Sequence, residues 1–160
     1  MNYSLGNPIF PEKVEKEIEF TRVVNVDKLA LFETMADIHN YPKIFPNNVI
    51  SVNIINQSEN VIFAKETVSE AGITTDIVTK HVLFPPDKLI VTVVDGGAKN
   101  STITIMFDEL NSSKKLTTKI EMELRGVLMF FGFLPQNQFQ SAMNTVISGF
   151  IDYTNQKLED

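Results

Sequence analysis

Six consecutive segments of strand length, followed by one long amphipathic helix, constrain the fold of this chain more than any other pattern. The segments are predicted at about 48–56, 60–70, 73–84, 88–95, 100–109 and 115–125. The breaks between them are short and rich in turn residues, as in Pro85-Pro86-Asp87 and Asp95-Gly96-Gly97. Short connections favour antiparallel hairpins. In the last segment, charged residues alternate with apolar and neutral ones, so one face of the sheet is predicted to be covered and the other to face water.

The residues that cover the sheet follow the last strand. From about Pro135 to Leu158, apolar residues recur at helical spacing and form a wide stripe. A helix of about 24 residues is about 36 Å long. A single long helix after six antiparallel strands is expected to pack on the concave face of the sheet.

The N-terminal part adds a strand and two short helices. Residues 1–16 are a polar lead-in, predicted to be either loose or a short helix, and Glu17–Asn25 has the alternation of a strand. Asp27 is typical of a helix N-cap, and the helix is predicted to run to about Asp37. The prolines that follow Tyr41 and Phe45 predict a short helical turn between them.

These elements predict an α+β fold in one domain spanning residues 1–160. About seven antiparallel strands form a curved sheet around the long C-terminal helix, with two short helices after the first strand. A curved sheet that grips one helix leaves a gap too wide for side chains alone to fill. An interior cavity for an apolar ligand is therefore expected.

Composition excludes several function classes. The chain has no cysteine, and its two histidines, His39 and His81, are too far apart in sequence for a His-x-x-x-His metal pair, so neither a metal nor a cofactor is expected. The net charge of −6 is unfavourable for binding nucleic acid. No signal peptide is visible, and the longest apolar run, Gly126–Leu134, is too short to span a bilayer, so a cytoplasmic location is expected.

Several motifs in order resemble one superfamily. They are Val26–Phe32, Met35–Asp37, Tyr41–Pro46, Pro85–Lys88 and Leu124–Gly126. The chain thereby resembles the START-like superfamily, also called the polyketide cyclase, Bet v 1-like or SRPBCC superfamily, and most of all its polyketide cyclase / coenzyme Q-binding branch. The resemblance implies a helix-grip fold with a hydrophobic cavity. Members bind lipids, quinones, hormones or polyketides, some catalyse cyclisation or dehydration, and others act on ribosome association.

Two titratable residues are candidates for chemistry in the cavity. On the strand at 73–84, His81 and Thr79 share a parity that carries no fixed charge, so both are predicted to point inward. His81 is then either a cavity acid or base, or a hydrogen-bonded histidine of the core or rim. Glu66 is either a cavity base or ligand anchor, or a solvated rim residue. His39 is predicted to lie at the surface or to cap a helix.

The predicted ligand-binding residues are mostly apolar. They are Thr79, His81, Ile103, Ile105, Phe107, Ile120, Met122, Phe130, Phe133, Phe139, Met143 and Ile147. The Phe and Met residues between Met129 and Met143 either belong to the plain core or line the pocket and its gate. If exposed, Val127–Leu134 would make transient contact with a membrane or a protein. Gly149 either leaves room for a ligand or allows close packing on the sheet.

Three functions remain open from the sequence. The first is a non-enzymatic protein that binds or transports a small hydrophobic ligand, such as a lipid, an isoprenoid quinone or a polyketide-like molecule. The second is a cyclase or dehydratase that uses His81 and Glu66 as acid and base, which requires both side chains to face one pocket a few Å apart. The third is a protein-interaction module acting through Phe130–Phe133. The binding protein is the preferred interpretation.

Overall fold

The computed structural model describes residues 11–159, without the side chains of Val127 and Phe130. The seven strands are β1 (Lys13–Val24), β2 (Val49–Gln57), β3 (Val61–Glu70), β4 (Ile73–Phe84), β5 (Lys88–Asp95), β6 (Thr102–Leu110) and β7 (Ser113–Arg125). The helices are α1 (Lys28–Ala36), α2 (Tyr41–Ile44), α3 (Met129–Gly132) and α4 (Gln136–Glu159), with 3-10 turns at Ile38–Asn40 and Gly126–Leu128.

All seven strands form one antiparallel sheet in the order β1-β7-β6-β5-β4-β3-β2. Strands β2 to β7 form a meander in chain order, and the last of them, β7, pairs with β1. The predicted α+β helix-grip fold is confirmed. Strand β1 begins earlier than predicted, because Lys13 already pairs with Arg125. Both interpretations of the lead-in, a loose segment and a short helix, are therefore wrong for residues 13–16, while its first ten residues lie outside the described part.

Helix α1 begins where the sequence predicts it. The Asp27 carboxylate accepts a hydrogen bond from the backbone N–H of Ala30 at 3.0 Å, so Asp27 is the N-cap. Val26, before the cap, and Leu31, in the second turn, are both buried. They occupy the two positions of a hydrophobic staple, which fixes the angle at which the chain enters the helix.

Helix α4 packs across the concave face of the sheet through Ile147, Phe150 and Thr154. Hydrogen bonds to α1 and to β1 fix its position. The Thr154 hydroxyl donates to the Thr34 hydroxyl of α1 at 2.8 Å, and the Arg22 guanidinium of β1 donates to the Ser148 hydroxyl at 2.8 Å. Within residues 11–159 no helix combines the length and the apolar character needed to span a lipid bilayer.

The main hydrophobic core lies where α1 meets the sheet. Leu31 and Phe32 of α1 are buried in one cluster with residues of β1, β5, β6, β7 and α4, and the ring of Phe32 meets that of Phe107 edge to face with centroids 5.6 Å apart. Side chains fill the space under the sheet there. The region between the central strands and the first half of α4 is not filled in this way, and it forms the cavity described next.

Candidate functional site: an internal cavity with one polar cluster

A cavity of about 470 Å³ lies between strands β3 to β6 and helices α2 and α4. Ligand pockets have volumes of about 300–1,000 Å³, so this cavity is large enough for a small organic molecule. Most of its lining is aliphatic or aromatic. The lining residues are Met35, Tyr41, Phe45, Asn48, Val49, Glu66, Glu70, Ile77, Thr79, His81, Leu89, Val91, Val93, Ile103, Ile105, Ala142, Met143, Thr145, Val146, Ile147 and Phe150.

Three polar side chains meet in the wall of this cavity, and we call them the Glu66–Thr79–His81 cluster. The Thr79 hydroxyl donates a hydrogen bond to Glu66 Oε2 at 2.6 Å and lies 3.1 Å from His81 Nε2. Glu66 and His81 are 5% and 1% exposed, so the interpretation of Glu66 as a solvated rim residue is wrong. Thr79 and His81 lie on the same face of β4. On β3, Ala64 pairs with Thr79, and Glu66 follows two residues later on the same face, so the three polar side chains come together.

The hydrogen bonds of the cluster fix the direction of its protons. A hydroxyl has a single proton, and Thr79 gives it to the carboxylate. The Thr79 oxygen therefore accepts from His81, which places a proton on Nε2. The same nitrogen lies 3.6 Å from Glu66 Oε2, within reach of an ion pair. His81 Nδ1 is buried and has no hydrogen-bond partner among the described residues.

Tyr41 lies beside the cluster but is held in its protonated form. Its ring centroid is 6.2 Å from that of His81, and its hydroxyl donates to the backbone oxygen of Met35. Burial raises the pKa of the Tyr41 hydroxyl far above its ordinary value, and the nearby carboxylates of Glu66 and Asp37 raise this pKa further. Tyr41 is therefore a neutral part of the cavity wall rather than a proton acceptor.

Two further parts of the wall are the Asn48–Glu70 pair at the rim and the Phe45 ring. Asn48 Nδ2 donates to Glu70 Oε2 at 2.7 Å, and both residues are exposed, so this pair marks the solvent side of the cavity. The Phe45 ring packs on Gly149 of α4, where an added Cβ would lie 2.6 Å from Phe45 Cε1. The space that Gly149 leaves is thus taken by Phe45, and neither by a ligand nor by the sheet.

The structure brings six of the predicted ligand-binding residues together in the cavity wall: Thr79, His81, Ile103, Ile105, Met143 and Ile147. Phe107 and Ile120 instead lie in the main core, where α1 covers the sheet. Met122 and Phe139 pack on the edge of that core, and Lys16 lies over the Phe139 ring. Phe133, in the connection between α3 and α4, is 63% exposed. The Phe130 side chain lies outside the described part.

Sequence reasoning missed cavity residues of two kinds. Leu89, Val91 and Val93 share one face of β5, but Ile90 and Val94 make the other face apolar too, so the sequence gives no alternation that identifies them. Tyr41 and Phe45 reach the cavity from the α2 turn, where no periodicity predicts the direction of a side chain. No cluster of three or more metal-ligating side chains occurs within the described residues.

Fold and cavity together define a helix-grip protein with an internal apolar pocket. The chain belongs to the family described as polyketide cyclase / dehydrase and lipid transport, which it matches over residues 24–151. This match confirms the predicted superfamily. A comparison with curated protein sequences gives no significant match.

Solved structures with the same fold are distant in sequence. The Zhui aromatase/cyclase from Streptomyces sp. R1128 is 15% identical with a TM-score of 0.71, over 90% of this chain and 96% of that chain. TTHA0849 from Thermus thermophilus is 12% identical with a TM-score of 0.70, over 89% and 99%. Major latex-like protein 151 from Panax ginseng is 14% identical with a TM-score of 0.63, over 88% and 98%. At these identities the likeness concerns the fold alone.

Proposed function

We propose that this protein binds a small hydrophobic ligand in the internal cavity, as a carrier or a storage protein. The observation that carries the proposal is the contrast inside the cavity. About 470 Å³ is lined mostly by aliphatic and aromatic side chains, while the buried polar groups are gathered in the Glu66–Thr79–His81 cluster. An apolar wall supplies affinity, and a single polar cluster orients one end of the ligand.

The direct test is to identify what the purified protein carries. Native mass spectrometry of the intact protein, with mass spectrometry of an organic extract, is expected to detect an apolar molecule at close to one per chain. A matched pair of variants then tests the location. Val91→Phe narrows the cavity, whereas Ile90→Phe places the same bulk on the opposite face of β5. Ligand is expected to be lost from the first variant only, and equal retention by both would contradict the proposal.

A second candidate function is an enzyme that eliminates water from a β-hydroxy carbonyl substrate. The observation that favours it is the distance of 3.6 Å between His81 Nε2 and Glu66 Oε2 in one cavity wall. In such a reaction Glu66 would take the proton next to the carbonyl. Protonated His81 would give its proton to the departing hydroxyl, which leaves as water, so the product is the unsaturated carbonyl compound.

Substitution of His81 separates the two candidates. A carrier is expected to retain its ligand in His81→Ala, since the apolar wall is unchanged. If the protein is an enzyme, His81→Ala is expected to stop the formation of the dehydrated product. Mass spectrometry after incubation with a β-hydroxy ketone detects that product, which is lighter than the substrate by one water. Loss of all ligand binding in His81→Ala would count against the carrier, and an unchanged rate would count against the enzyme.

Contact of Val127–Leu134 with a membrane or a protein remains a prediction, as does a cytoplasmic location. The exposure of Phe133, at 63%, supports an interaction at this site. An apolar cavity of this size is, however, not what an interaction module requires. Phe133→Ser would weaken binding to lipid vesicles or a partner and leave the cavity ligand in place, which liposome co-sedimentation can measure.

A further inference from the structure

The cavity has an uneven charge composition. Its described lining contains two carboxylates, Glu66 and Glu70, and one imidazole, but no lysine and no arginine. Lys65 and Lys80, which flank the cluster in sequence, belong to the opposite face of the sheet, where Lys80 lies over the Phe63 ring and Lys65 faces Asp76. A ligand that carries a carboxylate would therefore meet like charges and no cationic partner. Burial of such an unpaired anion is strongly unfavourable.

The two oxygens of Glu66 differ in their hydrogen bonding. Oε2 accepts from Thr79 and lies near His81 Nε2. Oε1 has no hydrogen-bond partner among the described residues, although the side chain is only 7% exposed and lines the cavity. Oε1 is not among the fully buried unpaired atoms, so it is open to the cavity, and a ligand that fills the cavity without donating to Oε1 would leave it unpaired at a cost. Of the unpaired acceptors in the cluster, His81 Nδ1 is fully buried, so Glu66 Oε1 is the one that a ligand in the cavity can reach.

The number of donors on the ligand decides which chemistry fits this acceptor. An ether or a ketone offers no proton, so it leaves Oε1 unpaired. An ammonium group carries a charge and offers three donors. Glu70 lies at the exposed rim and His81 Nδ1 is fully buried, so beside Oε1 the other two donors meet an apolar wall. A hydroxyl group offers one proton to one oxygen. It is also uncharged, so it enters the cavity without the desolvation cost of an ion.

We infer that the cavity selects neutral apolar ligands that end in a hydroxyl group, an alcohol or a phenol, which donates to Glu66 Oε1, and that it rejects carboxylates. This inference rests on the proposed function and specifies its ligand class. It separates two forms of one redox molecule, because a quinol carries the required donor and a quinone does not. It also predicts that fatty alcohols and sterols bind more tightly than fatty acids.

Four ligands with one ring system test the inference. They are naphthalen-2-ylmethanol, its methyl ether, naphthalene-2-carboxylate and naphthalen-2-ylmethylammonium. Isothermal titration calorimetry at neutral pH is expected to rank the alcohol first, about tenfold or more above the ether and the carboxylate, since a hydrogen bond to a buried charged group contributes this much. This ranking uses the unmodified protein and does not depend on the folding of any variant.

Two variants assign the selectivity to one side chain. Glu66→Gln keeps the shape and an acceptor for Thr79 but removes the charge, so the rejection of the carboxylate is expected to shrink by about tenfold. Glu70→Gln removes the exposed rim carboxylate, and the ranking is expected to stay unchanged. Thermal unfolding checks that both variants are folded.

The possible outcomes separate the inference from the proposed function. A carboxylate that binds as tightly as the alcohol, an ammonium ligand that binds most tightly, or a ranking unaffected by Glu66→Gln overturns the hydroxyl assignment and leaves ligand binding intact. Failure of all four to bind contradicts the proposed function, and the inference with it.

Discussion

Two buried threonines give the same substitution opposite expected effects on stability. Thr79 and Thr118 are 2% and 0% exposed and belong to the same sheet. The Thr79 hydroxyl donates to Glu66 Oε2 at 2.6 Å and lies 3.1 Å from His81 Nε2. The Thr118 hydroxyl has no hydrogen-bond partner among the described residues. Threonine and valine have nearly the same shape, so Thr79→Val and Thr118→Val change polarity and leave no large void.

The expected magnitudes follow from these contacts. Thr79→Val removes the donor to a buried carboxylate, and such hydrogen bonds contribute about 1.5–3 kcal/mol, so the free energy of unfolding is expected to fall by about 2 kcal/mol. Thr118→Val removes a hydroxyl whose unpaired burial costs about 1–3 kcal/mol, so the free energy of unfolding is expected to rise by about 1 kcal/mol. The two variants are therefore expected to differ by about 3 kcal/mol.

Urea denaturation followed by circular dichroism measures both changes. The slope of the free energy against urea concentration is expected to be the same in both variants, so that the shift in midpoint reports stability alone. In a thermal scan, 1 kcal/mol corresponds to about 2–4 °C for a domain of this size. Destabilisation of both variants to the same extent would refute the reasoning, because it would mean that hydrogen bonding does not distinguish the two sites.

Three further substitutions test other contacts. Asp27→Ala removes the N-cap of α1 and is expected to destabilise the protein by about 1 kcal/mol in the same urea assay, whereas Asp27→Asn is expected to have little effect. The hydrogen bond from Lys13 lowers the pKa of the Glu123 carboxyl from its ordinary value of 4.5 to about 2, and the hydrogen bond from the Asn100 side chain makes a smaller contribution. Glu123 therefore contributes stability above pH 4.5 that is lost as the pH falls toward 2, and Lys13→Met is expected to raise this pKa in a carbon NMR titration. Gly149→Ala gains about 1 kcal/mol in helix propensity, but its Cβ would meet the Phe45 ring at 2.6 Å, so a lower free energy of unfolding is expected. In a Phe45→Leu background this loss of stability is expected to be smaller.

The fold was predictable because its signals are local and agree with one another. The alternation of β7, the cap at Asp27 and the apolar stripe of α4 each correspond to an element in the structure. The main error was the start of β1, at Lys13 instead of Glu17. Three of the four residues that precede the clear alternation are charged, and only the pairing of this segment with β7 makes it a strand.

The site was less predictable because it depends on contacts between elements. Thr79 and His81 share one face of a single strand, so parity identified both. Both faces of β3 carry apolar residues near Glu66, and the sequence alone left the direction of that carboxylate open. Pairing with β4 determines it. The sequence also could not indicate where α1 ends and the cavity begins, and for that reason Phe107 and Ile120 were expected in the cavity.

The pairing of the first strand with the last also governs the order in which the protein forms during synthesis. Lys13 and Glu123 make contact across 110 residues of chain. At about 5–20 residues per second, β1 waits roughly 5–20 seconds for β7, its neighbour in the described sheet, to emerge from the ribosome. Strands β3 to β7 each follow a neighbour closely in the chain and have no such delay. The charged residues that alternate along β1 are of the kind that protects an exposed strand edge from aggregation, which suits a strand that must wait for its partner.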